Sequence, residues 1–237
     1  MTNMKAVVMA AGAGTRLQPL TLDTPKAMIP VNGKPMLQVL LEQLKTAGVT
    51  EVVIIVHYLK DKIISYFGDG SKLGLKLTFV EQKEMKGSAD AVLCAAPYVK
   101  DDRFFVIACD SLFETDQLSR VLAHKSDGVF TCKEVTDGRP FGILITEGKR
   151  IKQVIEKPEN PPTNLANFSV YLLPQAVFEA CRTVKPGVKG EYWLVDAIQM
   201  LIDKGKVFEF EVSKHILDIG THEQLAEAQI LAKKLNL

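Results

Sequence analysis

A chain of 237 residues, 47% of them hydrophobic, can bury one sizeable core and is too short for two full domains with linkers. Its 29 basic and 28 acidic side chains leave a formal net charge of +1, which argues against a nucleic-acid or anionic-membrane binder. No apolar run approaches a membrane span, and Cys94, Cys109, Cys132 and Cys181 show no Cys-x-x-Cys pairing, so they read as free thiols of a cytoplasmic protein.

The first predicted element is the apolar strand Lys5–Met9. Behind it, the loop Ala10-Ala11-Gly12-Ala13-Gly14-Thr15-Arg16 carries two glycines that let the backbone turn tightly and bring its N–H groups against phosphate oxygens. A hydroxyl and a guanidinium fork follow. It is not a Walker A loop, which needs Gly-Lys-Ser/Thr five residues after its first Gly. Nor is it the dinucleotide fingerprint, which needs a third small residue where Leu17 stands.

Helices at Met36–Ala47, Asp61–Tyr66, Ser88–Ala96 and Thr115–His124 alternate with strands at Glu51–Val56, Lys76–Val80 and Phe104–Cys109. That alternation predicts an α/β fold, a Rossmann-like parallel sheet with helices on both faces. Ala10–Arg16, Glu81-Gln82 and Asp110 each follow the carboxyl end of a different strand, where ligands of open parallel sheets bind. From Gly128 the pattern turns β-rich, with strands at Val129–Lys133, Phe141–Thr146, Ile151–Ile155, Asn167–Leu173 and Val207–Val212. Helices are expected at Gln175–Cys181, Tyr192–Lys204 and Thr221–Leu235. One domain over 1–237 is expected, with a nucleotide-binding part of about 1–127 and an acceptor-binding part of about 128–237.

The stretch Gly12–Pro35 resembles the signature of the sugar-1-phosphate nucleotidyltransferases, roughly GxGTRLxPLTxxxPKxMxPVxxKP, with every specified letter in place. The resemblance implies a mixed, mostly parallel sheet and an Mg²⁺-dependent reaction of NTP with sugar 1-phosphate, giving an NDP-sugar and pyrophosphate. The acceptor phosphate is itself the nucleophile, so positioning and charge neutralisation supply the rate. Two residues carry over as catalytic. Arg16 would grip the β- and γ-phosphates through its bidentate fork, and Lys26 would lie against the α-phosphate and the sugar phosphate. Ala10, Gly12, Ala13, Gly14 and Thr15 would cradle the nucleotide.

Glu81-Gln82 followed by Gly87-Ser88 resembles the base-reading segment of the family. A Gln82 amide can accept from N3–H and donate to a carbonyl, and the Gly87 N–H can complete the edge of uracil or thymine, which favours UTP or dTTP. Asp110 is the implied Mg²⁺ ligand of the strand Phe104–Cys109, although Cys109 stands where the family usually has Gly. Its partner is Asp218, in a segment like the family's W-x-D-x-G-T block. Asp218 can also be read as a turn residue before Thr221, a good N-cap with Gln224 at the capping-box position.

Glu156-Lys157-Pro158 resembles the family's E-K-P sugar site, with Lys157 on the sugar phosphate and Glu156 on sugar hydroxyls. Gly142 would allow close approach of the sugar and Glu191 would contact its hydroxyls, while Ser169 departs from the common N-A-G-I-Y form. His57, His124, His215 and His222 lack metal-ligand spacing and read as structural. The implied partners are an NTP and a sugar 1-phosphate, with no nucleic acid or membrane, in a monomer or small homo-oligomer like the short single-domain members. Within the family the alternatives are a mannose-1-phosphate guanylyltransferase or a cytidylyltransferase for another phosphorylated acceptor. A silent regulatory subunit would be expected to lose Arg16, Lys26, Asp110, Lys157 or Asp218, and all are present.

Overall fold

A computed structural model describes residues 4–187 and 190–237. In the first half, β1 (Met4–Ala10) leads to two short paired strands, β2 (Pro30–Val31) and β3 (Lys34–Pro35), and then to α1 (Met36–Thr46), β4 (Val49–Val56) and α2 (Lys60–Phe67). There follow β5 (Lys76–Glu81), α3 (Ser88–Cys94), β6 (Arg103–Ala108), β7 (Ser111–Leu112) and α4 (Gln117–Ala123). The second half comprises β8 (Gly128–Glu134), β9 (Gly142–Glu147), β10 (Arg150–Glu156), β11 (Leu165–Pro174) and α5 (Val177–Thr183). It closes with α6 (Leu194–Asp203), β12 (Phe208–Val212), β13 (Leu217–Asp218) and α7 (His222–Leu235).

Nine strands form one sheet in the order β5-β4-β1-β6-β11-β8-β12-β10-β9. The first four are mutually parallel, β11 runs antiparallel to β6, and β12 is parallel to β8. Strands buried on both faces must be apolar at successive positions, and Ala6, Val7 and Val8 are all fully buried. Neighbouring side chains of β6 go to opposite faces, as the period of two demands. Phe105 joins Leu37, Leu41, Ile63 and Leu118 under α1, α2 and α4. Phe104 joins Val92, Phe178 and Ile198 under α3, α5 and α6. The helices therefore cover both faces of one α/β sheet. α7 packs Ala228 and Ala232 against Val31, Met36 and Val39 in a smaller third cluster.

The chain moves outward from β1 to β4 and β5, then returns to the other side of β1 as β6. Strand order reverses there, and such a switch point opens a crevice at the carboxyl ends of the two strands. The glycine loop leaves β1, and Asp110 leaves β6, at that crevice.

Three differences from the sequence reading bear on the site. The expected strand Phe104–Cys109 ends at Ala108, although the Cys109 N–H still bonds Met9 O at 3.0 Å, so Asp110 stands just beyond the sheet. α6, expected from Tyr192, begins at Leu194 because the Tyr192 backbone is bonded to Lys86 and Ala89. The β7–β13 ladder, two residues long on each strand, has no periodic pattern in the sequence to announce it. Cys109, Cys132 and Cys181 are buried free thiols, each pushed by burial up to about 12, and Cys94 is half-buried. Among the described residues no helix is long and apolar enough to cross a membrane.

Candidate active site

The crevice opens into a cavity of about 690 Å³. From the glycine loop, Ala11, Gly12 and Arg16 line its wall, while Ala10, Ala13, Gly14 and Thr15 do not; Ala11 carried no expected role. Ala10 ends β1 in register with Val56 and is buried in the core. Gly14 adopts φ 65°, and its carbonyl accepts from Thr21 Oγ1 at 2.8 Å and from the Leu17 N–H at 2.9 Å. A Cβ on Gly14 would stand 3.0 Å from Lys26 Cβ, so glycine is needed both for the backbone angle and for the approach of the lysine. Thr15 opens an exposed 3₁₀ turn that carries Arg16.

Lys26 lies just off the cavity wall and forms an ion pair with Asp110, both largely shielded from solvent. Burial alone disfavours the Lys26 ammonium, but the surrounding negative charge, Asp110 foremost with Asp218 behind it, more than offsets the cost and the pKa rises above the ordinary lysine value. Ser111 and Asp218 face each other across the antiparallel β7–β13 ladder, and Ser111 Oγ donates to Asp218 Oδ1 at 2.6 Å. The Ile219 N–H bonds Asp110 O at 2.9 Å, which locks the two acidic segments side by side. Burial, reinforced by the neighbouring Asp110 charge, pushes the Asp218 carboxyl up to about 7 against the pull of Ser111 and Lys26. Two carboxylates 108 positions apart in sequence thus share one pocket of negative charge. Gly220 lies two residues beyond Asp218, and a Cβ there would lie 2.6 Å from Arg16 Nη2, so the guanidinium rests on glycine backbone near the acidic pair.

Thr221 caps α7, its side chain accepting from the Gln224 N–H at 3.3 Å. The expected reciprocal half of a capping box is altered, since Gln224 Oε1 accepts from the Gly220 N–H at 2.9 Å.

Gln82 is buried at one end of the cavity, its Nε2 donating to Gly87 O at 3.1 Å and to Asp90 Oδ2 at 2.8 Å. The sequence reading had this amide both accept from and donate to a base. In the structure its amino group is committed to these two internal partners. Gly87 adopts φ 118°, and a Cβ there would stand 2.6 Å from Tyr192 O. Ser88 lines the cavity, and its Oγ also accepts from the Leu194 N–H at 2.9 Å, so it caps a neighbouring helix.

The opposite end is built by Gly142, Glu156, Lys157 and Glu191. A Cβ on Gly142 would lie 3.1 Å from Glu156 Oε2, so a larger residue would press on that carboxylate. Lys157 Nζ lies 2.9 Å from Glu156 Oε1 and 4.1 Å from the centre of the Trp193 ring. Asn167 donates from Nδ2 to the Tyr171 hydroxyl at 2.8 Å, while its buried Oδ1 has no partner. An unsatisfied buried acceptor costs about 1–3 kcal/mol. Trp193, Ser111 and the Asn167 amide were not assigned roles from sequence, although Ser111 adjoins Asp110 and Trp193 lies two residues from Glu191.

A family model described as Nucleotidyl transferase matches residues 5–234. The chain is 37% identical over 233 residues to the UTP–glucose-1-phosphate uridylyltransferase AglF of Haloferax volcanii, covering 95% of each protein. It is 33% identical to a glucose-1-phosphate thymidylyltransferase of Streptomyces griseus, covering 96% of this chain and 66% of that protein. A solved UDP-glucose pyrophosphorylase complexed with UDP-glucose superposes with a TM-score of 0.85 at 26% identity, covering 98% of both chains.

Proposed function

This chain belongs to the nucleotidyl transferase family, and from that premise we propose that it joins UTP or dTTP to a sugar 1-phosphate, releasing pyrophosphate. The observation that carries the reading is the convergence of Lys26, Asp110 and Asp218 near Arg16, at a strand, β6, that the sheet order sets between β5, which leads to Gln82, and the β9–β10 hairpin that carries Gly142 and Glu156. The part up to about residue 127 takes the nucleotide, and the part from about 128 takes the acceptor.

The acidic pair suits a divalent ion. Both donors are carboxylates, and the burial and Asp110 repulsion that together lift the Asp218 pKa are what a dication would offset. Among the described residues no third His, Cys, Asp or Glu joins them, so Asp110 and Asp218 would hold Mg²⁺ with substrate oxygens and water. When bound, Mg²⁺ neutralises phosphate charge. Arg16 holds the β- and γ-phosphates through its planar fork. Lys26 turns from Asp110 to the α-phosphate, and Lys157 holds the acceptor phosphate in line with it. Gly12 leaves the loop backbone open, with no protein atom near where a Cβ would be. Glu156 and Glu191 accept from sugar hydroxyls.

Base choice follows from Gln82. With its amino group bonded to Gly87 O and Asp90, its carbonyl oxygen accepts from N3–H of uracil or thymine, and the Gly87 N–H donates to a base carbonyl. A site of this kind rejects bases that leave its buried polar groups unpaired. In an assay of pyrophosphate release across four NTPs with glucose 1-phosphate, UTP or dTTP should exceed ATP and GTP in kcat/KM by about a hundredfold or more. GTP as the best donor would replace this reading with the guanylyltransferase one.

A further inference from the structure

Lys157 is exposed and adopts φ 44°, a left-handed conformation rare for a side chain of its kind. Such backbone persists where its surroundings hold it, and it clusters at ligand clamps. The Lys157 N–H donates to Phe141 O at 3.0 Å. The ammonium sits between the Glu156 carboxylate at 2.9 Å and the Trp193 ring at 4.1 Å, within the range of a cation–π contact.

Trp193 is the single tryptophan of the chain, and its backbone is tied to the opposite end of the cavity. The Tyr192 N–H bonds Lys86 O at 2.8 Å, the Ala89 N–H bonds Tyr192 O at 2.9 Å, and the Leu194 N–H bonds Ser88 Oγ at 2.9 Å. The segment that carries Gly87 therefore sets where the Trp193 ring stands. Gly187 packs against the ring edge, where a Cβ would lie 3.1 Å from Cδ1.

We propose that Trp193 is a positioning residue for the acceptor step. Its ring and the Glu156 carboxylate seat the Lys157 ammonium at the acceptor end of the cavity, and the sugar phosphate draws that ammonium off the ring when it binds. A lysine on a long flexible stem is thereby held near the phosphate position before the substrate arrives. The proposal rests on the reading of Lys157 as the cation that takes the sugar phosphate.

Because the chain has one indole, its emission reports the ammonium directly. Glucose 1-phosphate added to the wild-type protein should shift Trp193 emission along the acceptor binding curve. In Lys157→Met the emission should start from a different value and stay unchanged at acceptor concentrations scaled to that variant's own KM. Trp193→Leu should raise KM for glucose 1-phosphate about two- to fivefold, more than it lowers kcat, and leave KM for the nucleotide in place. Trp193→Phe, which keeps a ring face, should restore most of the loss. Wild-type emission that ignores the acceptor, or a Trp193→Leu protein with native acceptor KM, overturns the seat while leaving the role of Lys157 intact. Native acceptor KM in Lys157→Met instead overturns the reading beneath it.

Discussion

Asp110→Asn and Asp218→Asn should each lower Mg²⁺-dependent turnover by at least about a hundredfold, the scale of losing one preorganised charge contact at a reacting phosphate. Their stabilities should part company. Asp218 has a carboxyl pushed from an ordinary 3.8 up to about 7, so the folded protein holds that proton more tightly than the unfolded chain. The associated stability is fully present below about pH 4, declines as pH rises towards 7, and is absent above it. Asn carries no such ionisation cost. In metal-free buffer at pH 8, Asp218→Asn should melt at or above the wild-type temperature, and the difference should close by pH 4. Asp110→Asn removes the partner of Lys26 and should melt lower at pH 8, since it leaves a shielded ammonium unpaired. Calorimetry with and without Mg²⁺, beside steady-state rates, checks both. Normal turnover by Asp218→Asn would return that residue to a turn role.

Arg16→Ala should lower kcat/KM by about a hundred- to a thousandfold with little change in Tm. The side chain is exposed and lies along the Gly220 backbone, so its removal opens no core cavity. What disappears, on the proposed reading, is the planar fork that grips the leaving phosphates. Arg16→Lys keeps the charge and loses the bidentate geometry, and it should recover only part of the rate. A fully active Arg16→Ala protein with native melting would remove Arg16 from the phosphate grip.

The fold was legible because its elements obey simple periods. β1, β4, β5 and β6 are apolar runs of strand length, and α1 carries its buried leucines at helical spacing. The glycine loop was legible because a composite motif surrounds it. What the sequence hid was pairing at a distance. Nothing in Ser111-Leu112 or Leu217-Asp218 marks a two-residue ladder, since strands that short carry no periodicity, yet this ladder aligns Ser111 with Asp218 and sets Asp218 beside Asp110. The onset of α6 was misplaced for a related reason. Tyr192 and Trp193 continue the helical pattern, but hydrogen bonds to Lys86 and Ala89 outweigh local propensity. The Gln82 amide illustrates a third limit, because its hydrogen-bonding capacity is visible in sequence and its commitment to Gly87 and Asp90 is not. Trp193 escaped because a cation–π contact to Lys157 joins residues 36 positions apart through no shared motif.

The most direct test is to identify the products. The protein, Mg²⁺, glucose 1-phosphate and UTP or dTTP should yield one nucleotide sugar for each pyrophosphate, detected by mass and by phosphate assay. Pyrophosphate should not form when the sugar phosphate is omitted, because the acceptor is the nucleophile. Acceptor-independent pyrophosphate release, or free nucleoside monophosphate in place of the nucleotide sugar, would contradict the account.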